Sequence, residues 1–172
     1  GKWNLEEKAG GRDVKLKMSL LDGRDDVATV AFPYFGSEEH EHFRHTDHDP
    51  ILYRKVPVKR VRLANGEEAL VTTVYDLLMA HYGLDRGLGD DEVAKSYDDN
   101  VPYTPAWQER ITGVPREQVI RVAREFAENA HKTHGQSMVI IGAAMNHWYH
   151  MDMNYRGIMN MLIFCGCVGQ SG

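Results

Sequence analysis

The sequence predicts an α/β fold: a Rossmann-like, partly parallel sheet with flanking helices, preceded by an extended β-rich N-terminal part. Three observations carry this expectation. Stretches within residues 1–72 alternate apolar and polar side chains and include a hairpin signal. From residue 73 the spacing of apolar residues lengthens to the helical period. Between two helical patterns lies "GQSMVIIGAA", residues 135–144, a short continuous apolar run of the kind that forms a strand buried on both faces. The 172 residues are therefore expected to act as a single segment, β-rich over 1–72 and α/β over 73–172.

In order along the chain, "VKLKMSL" (14–20) and "VATVAF" (27–32) alternate as half-buried strands do. Val58 to Ala64 alternates again, Asn65-Gly66 is a hairpin turn pair, and Ala69 to Thr72 returns as the second strand. Val74, Leu77, Leu78 and His81 then share one helical face, with Gly83 as the stop. Residues 84–103, rich in Asp, Gly and Asn, read as a loop. Thr104 is placed to cap a helix that has Pro105 at its first position and Gly113 past its end. In the next helix Val119, Ile120, Val122, Ala123, Phe126 and Ala127 form an apolar stripe, while Arg116, Arg121, Arg124, Glu125 and Glu128 face water. After residues 135–144 a polar loop leads into a last, mostly apolar helix expected over Tyr155 to Cys165.

Composition excludes several functions. A net charge of −5 supplies no basic stripe to neutralise phosphates, so no nucleic-acid partner is expected. The longest apolar run, Ile158 to Val168, is interrupted by Asn160 and Gly166 and is far short of the roughly 20 residues a membrane span needs. The two cysteines, Cys165 and Cys167, flank one glycine, too close for an unstrained disulfide, which points to a reducing, cytoplasmic setting. No signal peptide is visible, and "GKWNLEEKAGG" and "GCVGQSG" read as cuts in a longer chain.

The stretch with the most chemistry is "NHWYHMDMNYR", Asn146 to Arg156. A connection that only reverses direction needs Gly, Asn or Pro. This one adds His147 and His150, which donate or titrate, and Trp148 and Tyr149, which stack on flat rings. Following a predicted strand, it lies where α/β sheets bind ligands, and a helix start favours anions. Its plainer reading is local: Asp152 as a helix cap, Arg156 solvated, the aromatics as packing.

Three further clusters are weaker. His40, His42, His45 and His48 with Asp47 and Asp49 resemble a metal tract, yet their spacing matches no closed zinc pattern, and no metal site is assigned. Cys165 and Cys167 alone cannot complete a soft-metal site and read as small buried hydrophobes. The glycines of "GCVGQSG" lack any G-x-G-x-x-G or Walker spacing.

"GKWNLEEK", "VAFPYFG", "VPVKR", "ALVTTVYDLLMAHYGLDRGL", "SYDD", "YTPAWQERITGV", "REFAENAHKTHGQSM", "NHWYHMDMNYRG" and "MLIFCGCVGQSG" together resemble the alpha subunits of membrane-bound respiratory nitrate reductases, which are molybdopterin oxidoreductases. The likeness covers nearly the whole chain and is weakest over 36–50. It implies nitrate reduction to nitrite at a molybdenum bis-molybdopterin guanine dinucleotide, with an iron–sulfur cluster nearby. The residues that ligate molybdenum and the cluster belong to the family's more N-terminal region and have no counterpart here, so the isolated segment is expected to be inactive. The implied partners are the rest of the alpha subunit, an iron–sulfur beta subunit and a membrane haem b gamma subunit, on the cytoplasmic face of the bacterial inner membrane. Carried onto this sequence, the pterin contacts fall on Gly142, Asn146 and His147, with His147 facing the substrate funnel as the one catalytic candidate. Gly166, Gly169, Gln170 and Ser171 shape the same cleft. Chlorate, perchlorate or selenate as substrate, and a stand-alone nucleotide- or phosphate-binding module, are the competing expectations.

Overall fold

The structure, a computed structural model, describes residues 6–9, 12–15, 18–33 and 51–170. The chain divides into two compact units, Asn4–Arg116 and Glu117–Gly172.

The first unit is built on antiparallel strands. β1 (Glu6–Ala9) pairs with β2 (Arg12–Lys15) in a two-stranded ladder. β3 (Asp26–Pro33), β4 (Ile51–Arg62) and β5 (Glu68–Val71) form a three-stranded sheet in the order β3-β4-β5. Strand 27–32 and the Asn65-Gly66 hairpin match expectation. β4 begins seven residues earlier than its clear alternation, because Ile51–Pro57 pairs with all of β3 as far as Val27. The strand expected over 14–20 is displaced: the described strand ends at Lys15, and Met18–Leu20 is irregular.

Period-2 geometry puts Leu52, Arg54, Val56 and Val58 of β4 on one buried register. Helix α1 (Val74–His81) packs there through Ala80 and Leu77, and Val56, Val58 and Ala80 form the core with Ala28, Val30 and Phe32 against them. His81 stacks on Phe32 at 5.3 Å. Thr73 caps α1 by accepting the Asp76 N–H at 3.0 Å.

Asp76 ties this region together. Its buried carboxylate accepts from Ser19 Oγ (2.7 Å), the Leu20 N–H (2.8 Å) and Thr73 Oγ1 (2.7 Å), and pairs with Arg86 Nη2 at 2.8 Å. Burial alone pushes its pKa up, but those donors outweigh it and hold the carboxyl below the usual range. Residues 84–103 form the expected loop, and α2 (Pro105–Thr112) starts at Thr104 and stops at a left-handed Gly113 as the sequence predicts.

The second unit holds α3 (Arg116–Lys132), α4 (Ala143–Asn146) and α5 (Met151–Phe164). Here the expectation of a Rossmann-like, partly parallel sheet fails among the described residues. Both sheets of the first unit are antiparallel, and among the described residues the only parallel pairing is an isolated bridge between Leu84 and Ala94. The run 135–144 is not a strand: Met138–Ile141 makes no backbone hydrogen bond within the described residues, and Met138 and Ile140 are 72% and 87% exposed. The physical reason is the absence of a neighbour. A strand needs a ladder for its N–H and C=O groups, and the described part of this unit is otherwise helical. The stripe of α3 is likewise only half-covered, with Val119, Ile120 and Phe126 partly buried and Val122 59% exposed.

Candidate functional site

The polar strip is positioned by three short-range decisions. Gly142 ends the extended run and leads into α4, whose single turn closes through the Met145 and Asn146 N–H groups onto the Gly142 carbonyl. His147 follows as its C-cap. His150 then adopts a left-handed conformation (φ 56°), and its carbonyl accepts from Met153 and Asn154 to start α5. Helix α5 thus begins at Met151, earlier than the expected Tyr155, and Asp152 lies in its first turn rather than at its cap.

Every residue from Asn146 to Asn154 is exposed, Trp148 and Tyr149 by 71% and 73%. The strip is not packed into this chain's interior. Asn146 Oδ1 accepts from the Tyr155 hydroxyl, which orients the amide and leaves its N–H hydrogens for another partner. No hydrogen bond to the His147 ring forms within the described residues. Gly142 has φ −145°, open to any residue, and nothing lies within 4 Å of where a Cβ would stand. Nothing among the described residues requires glycine there.

The second predicted group lies at the other end of α5. Gly166 and Gly169 have positive φ (67° and 78°), and Gly166 sits against the end of α3: a Cβ on Gly135 (φ 95°) would collide with the Gly166 carbonyl and come within 2.9 Å of Gln170 Cγ. Ser171 lies outside the described residues. Helix α5 spans about 20 Å from Met151 to Phe164; Asn146 lies beside its first turns through Tyr155, and Gly166 and Gly169 follow its other end.

Cys167 is buried and Cys165 half-buried, as small hydrophobes at a helix end, and burial pushes the Cys165 thiol up with Cys167 adding to it. The tract His40, His42, His45, His48, Asp47 and Asp49 lies outside the described residues, as does "GKWNL". Among the described residues no three His, Cys, Asp or Glu groups converge on a metal site, and no helix is long and apolar enough to cross a membrane.

One interior group, Arg54, escaped the sequence reading, and a second, His81, was read only as part of the helical face. Arg54 is fully buried on the β4 register of Val56 and Val58, a parity visible once the strand is extended back to Ile51. His81, whose Nε2 lies 3.0 Å from the Tyr103 hydroxyl, is kept neutral to lower pH by burial and then by Arg54.

No family model matches the chain. Individual proteins do. It is 62% identical, over all of its length, to the respiratory nitrate reductase 1 alpha chain of Escherichia coli (strain K12), and spans 14% of that protein. It is 43% identical, over 99% of its length, to the nitrate reductase alpha chain of Bacillus subtilis (strain 168), spanning 13% of it. More distantly, 73% of the chain is 29% identical to the perchlorate reductase subunit alpha of Dechloromonas aromatica (strain RCB), spanning 11% of it. The chain belongs to the respiratory nitrate reductase alpha-chain family, corresponding to about one seventh of the length of its relatives.

Proposed function

We propose that Gly135–Gln170 forms part of the wall of a cleft that holds a molybdenum bis-molybdopterin guanine dinucleotide in a complete alpha subunit, and that the assembled enzyme reduces nitrate to nitrite there. The observation carrying this reading is the outward-facing strip from Gly142 to Tyr149, kept out of the chain's own core in a chain of this family.

The residues fit such a group. The free amide hydrogens of Asn146 suit acceptor atoms on a pterin edge, and the empty space over Gly142 admits a ligand against the backbone. Trp148 and Tyr149 offer exposed flat faces. Gly169, Gln170 and Ser171, which follow the other end of α5 in the chain, shape the same cleft. When bound, the cofactor would supply the two-electron redox chemistry of reducing nitrate to nitrite. His147 donates an N–H toward the anion in the funnel, where a donor aimed at developing negative charge is most effective. Asn146 orients the pterin, and the aromatic faces exclude water.

In this reading the bare run Met138–Ile141 becomes a strand of a partly parallel, Rossmann-like sheet completed by polypeptide beyond these residues, which supplies the missing ladder. The ligands of molybdenum and of the iron–sulfur cluster lie elsewhere in the subunit, and the segment alone is inactive. Electrons arrive through an iron–sulfur beta subunit and a membrane haem b gamma subunit, and the whole is held peripherally on the cytoplasmic face of the bacterial inner membrane. The acidic net charge of −5 leaves no role for nucleic acid.

Replacing His147 with Ala in the complete subunit is expected to raise the nitrate KM or lower kcat at normal molybdenum content. Unchanged kinetics at normal cofactor loading reject the role. The perchlorate reductase relative favours a second reading, in which the same cleft serves another oxyanion. Comparing kcat/KM for nitrate, chlorate, perchlorate and selenate on the full enzyme separates the two.

A further inference from the structure

One aromatic of the polar strip is spent on another side chain of the strip. Trp148 and Tyr149 are exposed, but Tyr155 is half-buried and its hydroxyl donates to Asn146 Oδ1, at the end of α4. The early start of α5 brings this about. With Met151 as its first residue, Tyr155 is its fifth, and helical side chains lean toward the N-terminus of their helix. That lean carries the phenol back past the His150 turn to α4, which packs on α5.

The bond settles what Asn146 shows to its surroundings. An Asn side chain is nearly symmetric in shape and opposite in chemistry: one end accepts, the other donates twice. Unrestrained, it presents either end by a half-turn about its last torsion. A phenolic hydroxyl is a better donor than acceptor, because its ring draws on the oxygen lone pair, so Tyr155 holds Oδ1 and turns Nδ2 outward. Neither side chain makes a second hydrogen bond among the described residues, so nothing there competes with this arrangement.

We propose that Tyr155 is a positioning residue for the cofactor: it fixes the Asn146 amide with its two N–H donors facing out, so that the contact at this point is to an acceptor of the pterin edge. This rests on the reading of Asn146 as a pterin contact and adds the group that sets its direction. It is independent of which oxyanion is reduced.

The experiment uses the complete subunit and reads loading rather than turnover. Molybdenum and guanine nucleotide per polypeptide are measured after growth on limiting molybdate, where loading follows affinity. Asn146→Ala should lower loading about fivefold, the worth of one ordinary hydrogen bond. Asn146→Asp still accepts from Tyr155 but offers no donor, and should fall at least as far. Tyr155→Phe keeps the ring and its packing; it frees the amide to spend about half its time reversed, and loading should drop about twofold. In the Asn146→Ala background, Tyr155→Phe should cost nothing more, which a purely structural role of the tyrosine does not predict. Full loading of Tyr155→Phe, or the same loss in both backgrounds, overturns the proposal while leaving the Asn146 contact standing. Full loading of Asn146→Asp shows that the outward group is not the donor and also overturns it. Full loading of Asn146→Ala is the separate failure, in which the pterin contact itself falls and the positioning role with it.

Discussion

Replacing Asp76 with Asn should loosen the first unit in a pH-dependent way. The carboxylate is fully buried and serves four donors from three separate stretches: Ser19 and Leu20, Thr73, and Arg86. Asn keeps the volume but removes the charge and offers one acceptor oxygen, so Arg86, only 12% exposed, loses its counterion. Breaking a buried pair from one side costs about 3–5 kcal/mol. Taking the lower end, because Asn retains some hydrogen bonds, the opening equilibrium around α1 rises roughly a hundredfold. Amide exchange read by mass spectrometry over residues 18–21 and 73–82 measures this directly. The sign with pH follows from the depressed carboxyl. Its stabilisation is complete above the unfolded value of about 3.9 and is lost as pH falls through the lower folded value. The unsubstituted protein should therefore lose protection on acidification below about pH 4, and Asp76→Asn should lack that contribution. A change in exchange below about threefold at neutral pH, or the same acid-dependent loss in both proteins, would refute the reasoning.

Other substitutions separate local from distant roles. Gly142→Ala meets open space at an ordinary φ, so the stability of this chain should stay within about 0.5 kcal/mol, while molybdenum content of the complete subunit falls; normal loading speaks against a cofactor at that backbone. Gly135→Ala should destabilise by about 1–3 kcal/mol, because φ is 95° and the new methyl meets the Gly166 carbonyl, a loss visible as a lower urea midpoint. Thr104→Ala removes the bond from the Trp107 N–H (3.1 Å) and the one to the Asp99 carbonyl (2.7 Å), and should cost about 1–2 kcal/mol by the same measurement.

Local chemistry was legible from the sequence wherever its cause is local. The Thr104-Pro105 start and Gly113 stop of α2, the Asn65-Gly66 turn and the Thr73–Gly83 helix depend on residues a few positions apart, and each stands where the pattern put it. The outward exposure of Asn146 to Tyr149 fits the density of polar groups there. Failures came where the cause is distant. "GQSMVIIGAA" has the composition of a buried strand, but burial and pairing are properties of neighbours, and its described surroundings provide none. Arg54 was missed for a related reason: its parity emerges only from pairing with β3, whose far end defines how long β4 is.

The bare run Met138–Ile141 also bears on the chronology of biosynthesis. Helices α3 and α5 close their hydrogen bonds as soon as each turn is made, whereas this tetrapeptide, rich in β-branched side chains, has no ladder among the described residues. Without one it is a sticky template for any extended segment nearby. The polar residues His131, Lys132, Thr133 and His134, a few positions ahead of it, are of the kind that flank such hazards in nascent chains. Truncated versions of this polypeptide should accordingly clump through that site first, and a lysine in place of Ile140 should keep them dispersed.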